Sequence, residues 1–153
     1  MDLVAGDARE ILLAIGVDDL AALDDRRRFP AHVALGGGLD PTWLDLFAEA
    51  VRGVTGDEDP SSFLDARIEL DGPGDDGGRI IERVDPAWIG AVARIQDGEI
   101  GPIAAGWIDL IEEELGGLAR DEKPWIRGLA GQLVTFCRAA DREPDVMFAW
   151  SLR

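Results

Sequence analysis

Tyrosine is absent from this 153-residue sequence, and histidine, cysteine and lysine occur once each, as His32, Cys137 and Lys123. These side chains most often carry protons or attack as nucleophiles near neutral pH, so many acid–base and covalent mechanisms are hard to assemble here. A lone cysteine excludes an internal disulfide and a thiolate metal cluster. No run approaches the roughly 18 apolar residues of a membrane span. The opening Met1-Asp2-Leu3-Val4-Ala5-Gly6-Asp7 has neither the basic nor the apolar region of a secretory signal. Together these features give the cytoplasm as the expected location, with no membrane association.

Basic residues are also scarce: 15 against 31 acids, a formal charge of −16, with half of it in residues 1–60. A spread of this kind is not an acidic tail. It argues against nucleic acid as a partner, because phosphate binding needs a basic stripe to displace counterions. Two readings of the charge remain. One is a soluble, self-repelling surface, and the other is an acidic face for a basic protein partner. Fourteen of the fifteen bases are arginine, which reads as compositional bias.

The length and the ordinary apolar fraction of 46% fit one globular domain over residues 1–153 with a core that needs no staples. Two helix starts share one pattern, Asp40-Pro41-Thr42-Trp43 and Asp85-Pro86-Ala87-Trp88. Aspartate caps the free amides, and proline takes the first helical position, where its missing N–H costs nothing. The similarity fits one capping solution used twice better than a duplicated unit. Trp43, Phe47, Ala50, Val51 and Val54 then share a helical face, as do Trp88, Ile89, Val92 and Ile95. Gly53 and Gly98 are expected stops.

The clearest signal lies further on. Ile103, Ala104, Trp107, Ile108, Ile111, Leu115 and Leu118 recur at helical spacing, and Gly116-Gly117 ends that helix. Asp121 offers a cap for the next, with Pro124 just inside. Ile126, Leu129, Ala130, Leu133, Cys137 and Ala140 form its apolar stripe. The two stripes predict an antiparallel helix pair. Strands are expected at Ala31–Gly36, Ala66–Leu70, Arg79–Val84 and Val146–Leu152, and short helices near Arg9–Ile15 and Asp18–Arg27. The fold class is therefore α+β, mostly helical, with a small antiparallel sheet. An apolar final strand, if it lay at an edge, could also pair with a second copy.

Each constellation that could carry chemistry has a plainer explanation. Gly36-Gly37-Gly38 followed by Asp40 lacks the lysine and spacing of a phosphate loop, and reads as a turn into a helix. Asp71, Asp75 and Glu82 fit the first, fifth and twelfth places of an EF-hand count. However, Pro73 holds the third place and Asp76 stands where the glycine belongs, so a solvated hairpin tip is expected. Glu112-Glu113-Glu114 point about 100° apart and read as a solvated helix face. His32, with Asp40 as a candidate partner, reads as structural, and Cys137 as a buried, inert thiol. Arg26-Arg27-Arg28 complements a helix end and pairs with neighbouring acids. Four of the five tryptophans, Trp43, Trp88, Trp107 and Trp125, fall on expected helices as core anchors.

The stretch from Asp85-Pro86-Ala87-Trp88 through Trp107 and Lys123-Pro124-Trp125 to Phe148-Ala149-Trp150 resembles small acidic bacterial proteins of unknown function. In these, an aromatic-punctuated helical half ends in a short strand. The resemblance covers about the last 70 residues and implies no activity. The residues favour a non-catalytic acidic module that binds a basic protein, as an immunity or antitoxin protein does, with no catalytic residue, metal or cofactor. The alternative is a small-molecule-binding protein or enzyme working through carboxylates, with or without a divalent cation. An exposed tryptophan beside a flat acidic patch would favour the first, and carboxylates converging on His32 the second. Composition does not set the oligomeric state.

Overall fold

The two ends of the sequence build the middle of the sheet. Strand β1 (Asp2–Gly6) lies between β2 (Ala31–Ala34) and β5 (Asp145–Ser151). Strands β4 (Arg79–Val84) and β3 (Arg67–Glu69) complete the order β2-β1-β5-β4-β3, with every neighbouring pair antiparallel. The computed structural model describes residues 1–17, 19–36, 39, 41–56, 62–69 and 79–151.

Both central strands are buried on both faces. Leu3, Ala5, Val146 and Phe148 enter the main core, while Val4, Met147 and Ala149 enter a second cluster on the opposite face. The main face is covered by α2 (Pro41–Thr55), the short α3 (Phe63–Ala66), α4 (Pro86–Ala93), α5 (Asp97–Leu115) and α6 (Glu122–Ala140). The other face carries α1 (Ala8–Gly16) and a 3-10 turn (Leu20–Asp24), through Ile11, Ala14, Ile15 and Leu23. An antiparallel sheet with its helices stacked on it makes the fold α+β.

β1 lies outside the strands expected from the sequence. A strand buried on both faces has no alternation of apolar and polar residues to detect. Gly6 closes it at φ +152, where an added Cβ would lie 3.2 Å from the Arg28 carbonyl oxygen. A side chain there would crowd the chain returning toward β2 and strain the backbone.

Aromatic side chains lock the helical layer together. Trp107 is fully buried on α5, donates its indole N–H to the Trp43 carbonyl at 2.8 Å, and meets Phe47 of α2 edge-on, with centroids 4.9 Å apart. Phe63 makes edge contacts with Trp88 of α4 and Phe148 of β5. The α5–α6 pair runs antiparallel, as its terminal ion pairs show. Lys123 at the start of α6 holds Glu112 near the end of α5, and Arg138 near the end of α6 holds Asp97 at the start of α5.

Several local expectations need correction. α2 runs past Gly53 to Thr55, and Gly56 follows at φ +71. A glycine inside a helix costs only about 1 kcal/mol, which neighbouring packing outweighs. Gly98 lies inside the first turn of α5. That helix starts early because the Glu99 carboxylate accepts from the Gln96 N–H at 3.0 Å. It ends at Gly116, in the left-handed region at φ 86. Asp121 makes no capping bond to α6; Glu122 instead accepts from the Ala119 N–H at 2.9 Å. Val54 and Leu115 lie in the last turns of their helices and are exposed. Asp85 caps α4 as expected, accepting from the Ala87 N–H at 2.8 Å with Pro86 in the first position. Strand β5 is central, so the edge pairing considered for it is closed off, and the sheet's outer strands are β2 and β3.

Candidate functional site

Among the described residues, strand β2 pairs with β1 alone, on one side. The Leu35 N–H donates to the Met1 carbonyl at 2.8 Å, continuing the register in which Val33 faces Leu3 and Ala31 faces Ala5. Backbone groups in an antiparallel ladder alternate in direction residue by residue. Ala31, Val33 and Leu35 therefore bond toward β1, and His32 and Ala34 aim their N–H and C=O groups at the open side.

A groove of about 750 Å³ lies there. One wall is the backbone of Ala31–Ala34. The other is the face of α6 bearing Gly128, Gly131, Gln132, Thr135, Arg138 and Ala139. At 100° per residue these six fall within one sector of the helix, opposite the buried stripe of Ile126, Leu129, Leu133 and Cys137. A Cβ added to Gly128 or Gly131 would meet nothing within 4 Å. Neither glycine is required by internal packing, although each costs a helix about 1 kcal/mol relative to alanine.

Ion pairs line the groove as well. Arg138 holds Asp97 at 2.7 Å and also donates to the Ile95 carbonyl, while Arg26 stands 3.8 Å from Asp24 and donates to the Leu23 carbonyl at 3.0 Å. Arg28 pairs with Glu10 at 2.9 Å, so Arg26 and Arg28 of the basic cluster are tied to nearby groups. Trp125 is 44% exposed one turn before Gly128. It meets Trp43 edge-on, and a Cβ on Gly36 would lie 3.8 Å from it, which places the indole at the end of β2. Core anchoring thus describes Trp88 and Trp107 but not Trp125.

His32 stands between two aspartates. Its Nε2 lies 2.9 Å from Asp2 and its Nδ1 3.0 Å from Asp24. The hydrogen bond to Asp2 raises its pKa above the usual value most strongly, burial works against this, and Asp24 adds to the rise. The protonated ring donates to both carboxylates, and neither nitrogen is left to act as a base. No sequence pattern points to Asp2 or Asp24, which β1 and the 3-10 turn bring together from 30 and 8 residues away. The expected partner Asp40 lies outside the described residues.

This clamp makes stability depend on pH in a set direction. A raised folded-state pKa contributes stability that is full below the unfolded value of about 6.5 and is lost as pH rises through the folded value. Urea midpoints should therefore fall as pH climbs above about 6.5. A His32→Gln series at the same pH values isolates the clamp's share. Equal slopes for the two proteins would show that the clamp contributes nothing.

Among the described residues, the remaining candidates do not assemble a reaction centre. Gly36 is described, but Gly37, Gly38, Asp71, Asp75 and Asp76 lie outside the described residues. Glu82 is buried on β4 and accepts the Trp150 indole N–H at 2.8 Å. Glu112 pairs with Lys123, and Glu113 and Glu114 are exposed. Cys137 is fully buried, and burial pushes its thiol pKa far up, which keeps it protonated and inert. Among the described residues no group of three histidine, cysteine or acidic side chains is placed to hold a metal. No helix among them is long and apolar enough to cross a membrane. Comparison with protein families, curated proteins and solved structures finds no match for this chain.

Proposed function

We propose that this protein is a non-catalytic binding module whose groove between β2 and α6 receives a basic protein partner. The observation that carries the reading is the groove itself. Its volume falls in the range of about 300–1,000 Å³ that ligand sites occupy. The one imidazole it contains has both nitrogens engaged by carboxylates, and its ion pairs are satisfied within the chain. Such walls suit recognition better than proton transfer. The charge of −16 selects the partner's sign and speeds the encounter, by about 10–10³ where fields are complementary. Trp125, 44% exposed one turn before Gly128, is the type of side chain that anchors interfaces. An inhibitor that neutralises a basic effector is one form such a module takes.

The test is a selection from displayed fragments of folded proteins, with this chain as bait. The enriched fragments should be net positive. Their affinity should fall at least tenfold between 50 and 500 mM salt, as exposed charges are screened over about 8 Å or less. Gly131→Trp, which fills the groove, should abolish binding. Enrichment of neutral or acidic fragments, or binding indifferent to Gly131→Trp, would refute the proposal.

A further inference from the structure

We infer that the partner enters the groove as an extended segment that adds a sixth strand to the sheet along β2. This rests on the binding reading above and specifies its mode. His32 and Ala34 each turn one N–H and one C=O away from β1, and the groove lies on that side. Unpaired strand edges are templates for strand addition, with main-chain bonds giving affinity and alternate side chains giving selectivity.

Side-chain alternation sets what the segment must carry. Ala31 and Val33 point into the main core, the layer to which α6 belongs. Residues of an added strand on that same face meet Gly128, Gly131 and Thr135, where the helix leaves open space. The intervening residues lie on the face of His32 and Asp24, where Asp24 is 72% exposed and already holds His32 and Arg26. The charge of −16 over the whole chain, not the paired lining of the groove, therefore favours a segment of net positive charge. A second copy of this chain is the less fitting occupant, because each copy brings a further −16 charge to the pairing.

The probe is a phage-displayed library of random ten-residue peptides, selected on the whole chain at 50 mM salt. Selected sequences should be net positive. Ala34→Pro deletes one outward N–H and no bond to β1, a place where strands tolerate proline. It should keep the wild-type circular dichroism and melting temperature and weaken the selected peptides at least tenfold. Gly131→Leu builds into open space, should also fold, and should weaken them at least as much. Methylating the peptide's own backbone nitrogens one at a time leaves the protein untouched, and affinity should drop at every second position.

Loss of binding with Gly131→Leu but not with Ala34→Pro, or an N-methyl scan without the two-residue period, would overturn strand addition while leaving the groove as a binding site. Indifference to both variants would overturn strand addition and the groove together. A library that yields no binder would overturn the extended-segment mode alone if folded basic fragments still bind. A wild-type dimer in sedimentation that Ala34→Pro dissociates would give the edge to a second copy and overturn the peptide occupant.

Discussion

Trp107→Ala should lower stability by about 3–5 kcal/mol, the range for removing a large buried aromatic. Three losses coincide at this residue. The ring is fully buried in the middle of α5 and vacates a cavity that the helices cannot wholly refill. Its edge contact with Phe47 disappears. The Trp43 carbonyl loses the 2.8 Å hydrogen bond from the indole. Trp107→Phe separates these contributions. It keeps most of the apolar volume and the aromatic contact and removes the donor, so it should cost less, with about 0.5–1.5 kcal/mol assigned to the lost hydrogen bond, because the Trp43 carbonyl keeps its acceptor place inside α2. Urea denaturation of both variants measures the effects. A loss below 1 kcal/mol for the alanine variant would show that the α2–α5 contact is not a main support of the fold.

Trp107 was legible as a core residue before any coordinates, and the reason is geometric. Apolar residues on one face of an amphipathic helix recur at 3.6-residue spacing, so Ile103, Ala104, Trp107, Ile108 and Ile111 announce both the helix and its buried side. The same holds for Ile126, Leu129, Ala130, Leu133, Cys137 and Ala140 on α6. Asp85-Pro86 was legible because capping acts within three residues. β4 was legible from its flanking turn residues.

The parts that escaped depend on partners distant in sequence. β1 is apolar on both faces, and nothing within Leu3-Val4-Ala5 says that residues 145–151 will lie beside it. The exposure of Leu115 follows from where α5 outruns its neighbours, which periodicity does not encode. The groove follows from strand order. Gly128, Gly131 and Ala139 look like an unremarkable polar-side face of α6 until β2 is known to be an outer strand. The His32 clamp needs β1, β2 and the 3-10 turn in place together. Local chemistry was therefore readable, and the candidate site was not, because it is made where an outer strand and a helix meet.

Strand order also gives the second large effect. Ala149→Pro should abolish cooperative folding, whereas Ala34→Pro should leave the fold intact. Ala149 stands opposite Asp2 of β1 on one side and Ile81 of β4 on the other. Whichever neighbour its N–H bonds, proline removes that donor from inside the ladder, and its ring presses on the adjoining strand. The abandoned carbonyl alone costs about 1–3 kcal/mol when it is left buried. Ala149 is 5% exposed and packs among Ile11, Ile81 and Met147, so displacing the strand also loosens the second core cluster. Small domains have only about 5–15 kcal/mol in total, and a loss spread over β1, β4 and β5 leaves little of it. At Ala34 the same residue is exposed and its N–H points away from β1, so no internal bond is lost. Paired thermal melts by circular dichroism make the comparison. A cooperative transition retained by Ala149→Pro would show that β5 is not held between β1 and β4. A collapse of Ala34→Pro would show that the outward groups of β2 already serve the fold and are not open to a partner.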